Sequence, residues 1–314
     1  MPDHATRSCR SGLWLVRIAT LVVLAATGGC SVSFTYNNLD RLARWQVRDF
    51  VDFDDRQAEY FDAEFARLLH WHRTTQLPRY AHRLDSLADA VGRERADLEL
   101  DSLIPEVEAW AQAIEQQAMP MTVTLMASLS DAQLAGLPAR LAKSNEKLTE
   151  DEADRSLEAA RAHFAEGMRD GLRGFLGRLN ARQRDYLNAQ SLRYEPETIL
   201  WADYRRRWQA DLLLALAGRG DADAFAARYR HLVETRESYY GERLSAVNAA
   251  NIRLRRELLL GVVERATDDQ RARFVRKLRE LADELRELVA EAGPEPPMAA
   301  CLVACTGRLK TSGG

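Results

Sequence analysis

The sequence predicts an all-α protein, folded as an elongated or irregular helical bundle with a C-terminal antiparallel helical hairpin. Proline and glycine are sparse, at 9 and 17 of the 314 residues. Long segments instead carry apolar residues at the spacing of amphipathic helices, and we find no convincing alternating strand. The hairpin is indicated by two consecutive apolar stripes: Val247, Leu254, Leu258 and Val262, then Phe274, Leu278, Leu281, Leu285 and Leu288.

Residues 1–29 are expected to be a signal peptide and not part of the fold. Arg7, Arg10 and Arg17 provide positive charge around the start of an apolar run of about ten residues at 18–27. Such a run suits the core of a signal peptide, and it is shorter than the roughly 20 residues that a bilayer-spanning helix needs.

The signal peptide ends in the pattern of a bacterial lipoprotein. Gly28 and Gly29 precede Cys30, so we expect Cys30 to be acylated, with palmitate among its chains, and to begin the mature protein. Several acyl chains on one cysteine give a stable anchor. Ser31 stands where aspartate would favour the inner membrane, which indicates the outer membrane and its periplasmic face. The alternative is an ordinary cleavage site beside an incidental cysteine.

After the signal peptide, the sequence predicts a lipidated tether at 30–38, a helical domain at 39–292 and a flexible tail at 293–314. The tether of about eight residues would reach roughly 25–30 Å at most. The tail is inferred from the prolines at 294–297 and the terminal glycines. It also holds Cys301 and Cys305, which form either a small disulfide loop or two unpaired thiols, since the periplasm is oxidising.

Within the domain, turn residues and helix caps divide the chain into helices. We expect these at 54–75 with a continuation at 78–91, at 102–117, 120–128, 131–147, from a capping box at 149–152 to 179, at 181–191, from Pro196 to about Gly218, from Asp221 to Glu264 with a possible break near Gly241, and at 268–292.

One short phrase recurs at four helix starts: an apolar residue, a capping residue, two variable positions and a glutamine. The cap accepts a hydrogen bond from the first turn, and the glutamine can return a bond to the N–H of the cap. Unequal gaps exclude a regular solenoid. The four cap and glutamine pairs are Asp54 and Gln57, Ser130 and Gln133, Asn180 and Gln183, and Thr267 and Gln270.

These phrases resemble the Leu-Thr-x-x-Gln motif of Spy-type periplasmic chaperones, which are all-helical and hold unfolded clients without ATP; plain helix starts are the alternative. The segments "YNNLDRLARW", "VDFDDRQ" and "HWHRTTQLPRYAHRL", together with the lipoprotein signal, resemble the Gram-negative lipoprotein family of domain of unknown function 6279. That resemblance covers most of the mature chain and is most specific at 36–82. It implies a helical envelope lipoprotein and supplies no catalytic residues.

The histidine-rich stretch at 70–82 raises the question of a metal site. His70 and His72 point about 200° apart on a helix, and neither has a carboxylate, histidine or cysteine at the neighbouring turn. His72 continues an apolar stripe, so we interpret it as a core histidine with one or two hydrogen-bond partners. Pro78 is expected to kink or break the helix after Thr74, whose hydroxyl, or that of Thr75, could cover freed backbone groups.

Three glycines, Gly167, Gly171 and Gly174, share one face of a predicted helix. A closely approaching neighbouring helix explains them best, and a hinge or a ligand groove are the alternatives. The charges of the last helix, Arg271, Arg276, Glu280, Glu284 and Glu287, are interpreted as a solvated face.

Composition limits the functions open to this chain. Removal of the signal peptide takes three arginines and one aspartate, so the net charge of −3 becomes about −5, which gives no basic excess for nucleic acid. No metal, cofactor or catalytic motif is recognisable. We therefore expect a non-enzymatic outer-membrane lipoprotein that binds protein or peptide clients in a chaperone-like way. The alternatives are a structural or assembly lipoprotein with one envelope partner and an enzyme or metal protein; the sequence does not indicate an oligomeric state.

Overall fold

The computed structural model describes residues 32–93, 96–150, 152, 154–300 and 302. This part of the chain is helical and has no strand, which confirms the all-α class. Its α-helices are α1 (Val32–Tyr36), α2 (Leu39–Arg48), α3 (Asp55–Trp71), α4 (Leu77–Gly92), α5 (Ala96–Ser128), α6 (Asp131–Thr149), α7 (Leu157–Leu176), α8 (Ala181–Ser191), α9 (Thr198–Ala217), α10 (Ala222–Glu234), α11 (Gly241–Glu264) and α12 (Asp268–Ala290).

The most extensive packing between two helices is that of α12 along α4. At the ends of this pair lie two core clusters. The first joins α4, α7, α8 and α11 to the N-terminal half of α12. The second cluster contains residues of the first five helices, α1, α2, α3, α4 and α5, and of the C-terminal half of α12. A third cluster packs α5 and α6 against α9 and α10, and Leu216 and Phe225 there are almost fully buried.

The predicted C-terminal antiparallel hairpin is wrong, because α11 and α12 do not pack along each other. α11 and α12 share the first core cluster next to their connecting turn, where Val262 and Phe274 are buried. Beyond that turn the main partner of α12 is α4, and α11 packs on α8. The apolar stripe on α12 correctly indicated a buried face, but periodicity alone carries no information on which helix covers it.

The tether prediction for residues 30–38 is wrong over the described residues. Val32, 1% exposed, and Tyr36 are buried in the second cluster, and the N–H of Val32 donates to Glu284 Oε2 at 2.9 Å. The segment looked like a linker because it is short and polar, yet its two apolar side chains are one helical turn apart and both enter the core. Glu284 is accordingly part of this junction and not only a solvated charge.

The tail prediction for residues 293–314 is also wrong where the structure describes it. The backbone N–H of Ala299 donates to Glu64 Oε1 at 3.0 Å, Glu295 pairs with Arg67 at 3.3 Å, and Leu302 packs against the second cluster. The contacts of Ala299 and Glu295 place this segment beside α3. Cys301 and Cys305 lie outside the described residues.

Two helix boundaries differ from the prediction. α5 is one helix that runs through Pro105 and Pro120; Met121 and Leu125 are buried just beyond the second proline, so packing outweighs the roughly 3 kcal/mol cost of an internal proline. The predicted capping box at 149–152 does not open a helix. α6 extends to Thr149, and α7 begins later because Ser156 accepts from the N–H of Ala159 at 3.1 Å.

At Gly167 and Gly171 the glycine face of α7 does not contact a neighbouring helix. A Cβ atom added at Gly167 or Gly171 would meet no atom within 4 Å. The close approach occurs instead at Gly261 of α11, where an added Cβ would lie 2.3 Å from the ring of Tyr186. Within the described residues, no helix is both long enough and apolar enough to cross a bilayer.

Candidate functional site

All four recurring phrases form capping boxes. At α3, Asp54 Oδ1 accepts from the N–H of Gln57 at 2.9 Å, and Gln57 Oε1 accepts from the N–H of Asp54 at 3.0 Å. The same reciprocal pair of bonds opens α6, α8 and α12 from Ser130, Asn180 and Thr267. Each cap satisfies N–H groups that the first helical turn leaves without a partner.

The structure adds a feature that the sequence did not predict, because the four boxes meet in two pairs. Gln133 Nε2 donates to Gln57 Oε1 at 2.7 Å, so the starts of α3 and α6 touch. The remaining donor capacity of each amide is used on the loop before the opposite helix. Gln57 donates to the carbonyl of Ser128 at 3.0 Å, and Gln133 donates to the carbonyl of Asp52 at 2.7 Å.

The second pair joins α8 to α12 and is more deeply buried. Gln270 Nε2 donates to Gln183 Oε1 at 3.0 Å and to the carbonyl of Arg178 at 2.9 Å. Gln183 is 0% exposed, and its Nε2 donates to the carbonyl of Val262 at 3.0 Å. A glutamate could close a capping box but has no N–H to donate. The uniform glutamine in the four phrases was therefore the signal for this pairing.

The histidine-rich stretch forms a π-helical turn at His72–Gln76, so the helix neither breaks nor ends before Pro78. Such single turns absorb an extra residue and are frequent at functional sites. Thr74 Oγ1 donates to the carbonyl of His70 at 2.9 Å, and Thr75 Oγ1 donates to the carbonyl of Trp71 at 2.6 Å. Both hydroxyls therefore bind carbonyls one turn upstream of them, and neither of these is the Thr74 carbonyl that Pro78 deprives of its helical donor.

His72 has a hydrogen-bond partner, as interpreted from the sequence, and its side chain is half-buried against the second core cluster. The hydroxyl of Tyr36 lies 2.8 Å from Nδ1 of His72, and the ring of Tyr80 contacts it edge-on. Burial lowers the pKa of His72 to about 4 and raises the pKa of the Tyr36 hydroxyl above its usual range. Both groups are neutral near pH 7, which suits a packing contact better than proton transfer.

In the described part of the chain, no arrangement of side chains supports metal coordination. No group of three or more His, Cys, Asp or Glu side chains there is close enough to hold an ion. Asp85, one turn after His82 in the histidine-rich stretch, pairs with Arg286 of α12.

A groove of about 640 Å³ runs along the outer face of α12. From Asp268 to Asp283 it follows roughly 22 Å of helix, at about 1.5 Å per residue. Ala272, Val275 and Gly92 supply its apolar contacts, and charged side chains surround them. The charged lining residues are Asp268, Glu280 and Asp283, with Arg271, Arg276 and Arg279. Three of these charges had been interpreted as a solvated face.

Ion pairs on neighbouring turns keep the rim of the groove ordered. Arg279 pairs with Asp89 of α4 at 2.9 Å, and Asp283 pairs with Arg286 at 2.7 Å. The side chain of Arg276 is exposed. A surface with an apolar floor and both signs of charge at its rim can contact a polypeptide through its side chains and its backbone.

Comparison with known proteins gives one family. The model of a family described as a family of unknown function, DUF6279, matches residues 49–244, more than half of the 314 residues. The match includes the histidine-rich stretch and three of the four capping phrases, and it begins after α2. Neither the curated proteins nor the solved structures gave a significant match. The position of Cys30 lies outside the described residues.

Proposed function

The chain belongs to the family of unknown function DUF6279, and we propose that this member is an envelope lipoprotein that binds polypeptides without catalysis. In this proposal an acylated Cys30 holds it at the periplasmic face of the outer membrane. The helical domain then presents a binding surface to protein segments, and no cofactor takes part.

The groove on α12 carries the proposal. Its length of roughly 22 Å matches about six or seven residues of extended chain or four turns of a helix. Val275 and Ala272 offer apolar contact in the middle. Because α12 is fixed along α4, this surface is preorganised, and binding need not order it.

The charges at the rim of the groove favour binding of particular polypeptides over non-specific binding of any apolar surface. Arg271 and Arg276 lie one turn or so from Asp268 and Glu280, so both signs alternate along the groove. A polypeptide segment whose charges are complementary to those along the groove binds more tightly. A segment that places like charges opposite the rim binds more weakly. This observation supports the second candidate, a lipoprotein that binds one specific envelope partner.

Peptide binding to the groove tests the proposal. A lipid-free chain that begins at Ser31 retains every described element, and it is screened against a library of peptides from envelope proteins. Gly92 borders the groove, with Val275 the nearest atom to an added Cβ at 3.9 Å. We expect Gly92→Trp to fill the groove and to weaken binding at least tenfold.

Gly167→Trp provides the matched control, because Gly167 is also an exposed helical glycine with open space around it. Equal binding by Gly92→Trp and Gly167→Trp would exclude the groove as the site. Failure of every peptide to bind wild-type protein would overturn polypeptide binding itself.

Two further measurements separate the chaperone from the specific partner. Suppression of the aggregation of an unfolded client at stoichiometric excess, with many weak crosslinked adducts in cells, favours the chaperone. A single dominant adduct without suppression favours one partner. The anchor is tested independently in the full chain, where Cys30→Ser should abolish labelling by radioactive palmitate and move the protein out of the membrane fraction.

A further inference from the structure

α1 and α2 together present one continuous inner face. Their buried residues, Val32, Tyr36, Leu39 and Ala43, follow each other at spacings of four, three and four. At about 100° per residue these side chains fall within roughly 60° of one another. Between the two helices the backbone leaves helical geometry at Asn38, with φ −112° and ψ 11°, so the shared inner face rests on the observed burial of all four side chains.

The opposite face of the same segment combines exposed aromatic rings with arginines. By the same arithmetic Phe34, Arg41, Trp45 and Arg48 lie about 180° from the buried stripe and within roughly 60° of each other. Phe34 is 65% exposed and Trp45 is 63% exposed, and Leu42 at the edge of the face is 41% exposed. Single exposed apolar side chains are ordinary, but three within a short amphipathic segment indicate an interaction surface.

The charge of this outer face is positive. By the same angular count Asp40 projects away from this face, whereas Asp49 lies at its edge on the side of Leu42. Arg44 lies nearer the protein and pairs with Asp62 of α3, which leaves Arg41 and Arg48 to set the sign of the outer face. Aromatic side chains beside arginine, at the level of the headgroups, are typical of helices that lie in the plane of an anionic membrane.

The position of the segment in the chain brings this face to the membrane. Val32 is fixed in the core, so Ser31 alone separates Cys30 from the folded protein. Two residues span about 7 Å. An acyl anchor at Cys30 would therefore hold α1 beside the headgroups, whereas a free tether of eight residues would not.

From these observations we propose that the outer face of α1 and α2, carrying Phe34, Arg41, Trp45 and Arg48, is a binding surface for anionic phospholipid. The inference deepens the proposed envelope anchoring, because it assigns folded residues to the membrane contact. It fixes the orientation of the protein, with α2 lying on the bilayer.

Vesicle sedimentation of the lipid-free chain from Ser31 tests this surface without the anchor. We expect binding to vesicles of phosphatidylethanolamine and phosphatidylglycerol, and weak binding to phosphatidylcholine alone. Phe34→Ala combined with Trp45→Ala should reduce binding at least fivefold. Arg41→Gln and Arg48→Gln should each reduce it about fivefold at low salt. Leu214→Ala, at an apolar residue of α9 that is 72% exposed, should leave it unchanged.

Absence of binding to the anionic vesicles, or equal binding by wild type and the Phe34/Trp45 double variant, would overturn the proposal. Circular dichroism shows that each variant is folded. Fluorescence gives a second measurement, since brominated lipids should quench an emission component that Trp45→Phe removes. If vesicles do not bind while peptides still bind the groove, the membrane surface fails and the proposed function stands.

Discussion

His72 shows how far the chemistry of one residue can be inferred from the sequence. Its position on an apolar stripe predicted a buried imidazole, and the 200° separation from His70 argued against a shared ion. The partner could not be predicted, because Tyr36 lies 36 residues away on a helix that the sequence presented as a tether. Local periodicity identifies the apolar face of a helix. Which residue covers that face depends on the tertiary fold.

The lowered pKa of His72 makes stability depend on pH. The unfolded chain binds a proton at His72 below about pH 6.5, whereas the folded protein does so only below about pH 4. The stabilising contribution is thus complete above pH 6.5 and is lost as the pH falls from 6.5 to 4, by about 3 kcal/mol. Urea unfolding of wild type and His72→Asn from pH 7 to pH 4 measures it. The difference in the free energy of unfolding should shrink with falling pH; two parallel curves would contradict the prediction.

At the scale of helices, the sequence predicts where some helices begin better than it predicts which helices pack against each other. The four capping phrases correctly mark where α3, α6, α8 and α12 begin, since a cap and its glutamine are local. The start of α7 was misplaced, because "TEDE" satisfies the same local rule without opening a helix, and α7 begins instead after Ser156. The pairing of α12 with α4 was missed because both helices carry apolar stripes that fit many partners.

The meeting of the capping boxes should couple the glutamines energetically. Gln183→Ala removes a fully buried amide, leaves the carbonyl of Val262 without its donor, takes one of the two acceptors from Gln270 Nε2, and should cost about 3 kcal/mol. Gln270→Ala should cost less, and the double variant should cost about 1–2 kcal/mol less than the sum of the single variants. Chemical denaturation of the four proteins in the cycle gives this coupling.

Ser156→Ala is the control, because this cap of α7 has alanine and not glutamine at the third helical position. It should cost about 1 kcal/mol, as an ordinary cap does. Additive losses at Gln183 and Gln270 would mean that the two boxes are independent helix starts.

For the whole molecule, the main revision concerns where the fold begins and ends. The sequence assigned residues 30–38 to a tether and 293–314 to a tail, from short polar and proline-rich composition. In the structure both segments contact the second core cluster, and the C-terminal one also contacts α3 at Glu64. Composition failed there because a few apolar contacts, such as Val32 and Tyr36, decide whether a terminal segment is ordered.

Truncation tests this revised boundary. A chain that starts at Leu39 loses the burial of Val32 and Tyr36, which stabilises the fold by about 3–6 kcal/mol. We expect its Tm to be roughly 10 °C below that of the chain from Ser31. Tyr36→Ala should reproduce much of this loss, whereas Trp45→Ala, on the exposed face of the same segment, should change stability by less than about 0.5 kcal/mol.

The truncation also reports on His72, because Tyr36 is the group that covers its ring at Nδ1. Without α1 the imidazole is more hydrated, so its pKa should rise toward 6.5 and the loss of stability between pH 6.5 and 4 should become smaller. Unfolding of the chain from Leu39 across this range measures the change. An unchanged Tm together with an unchanged pH dependence would return residues 32–38 to the role of a tether, and the orientation of the protein on the membrane would then lose its structural basis.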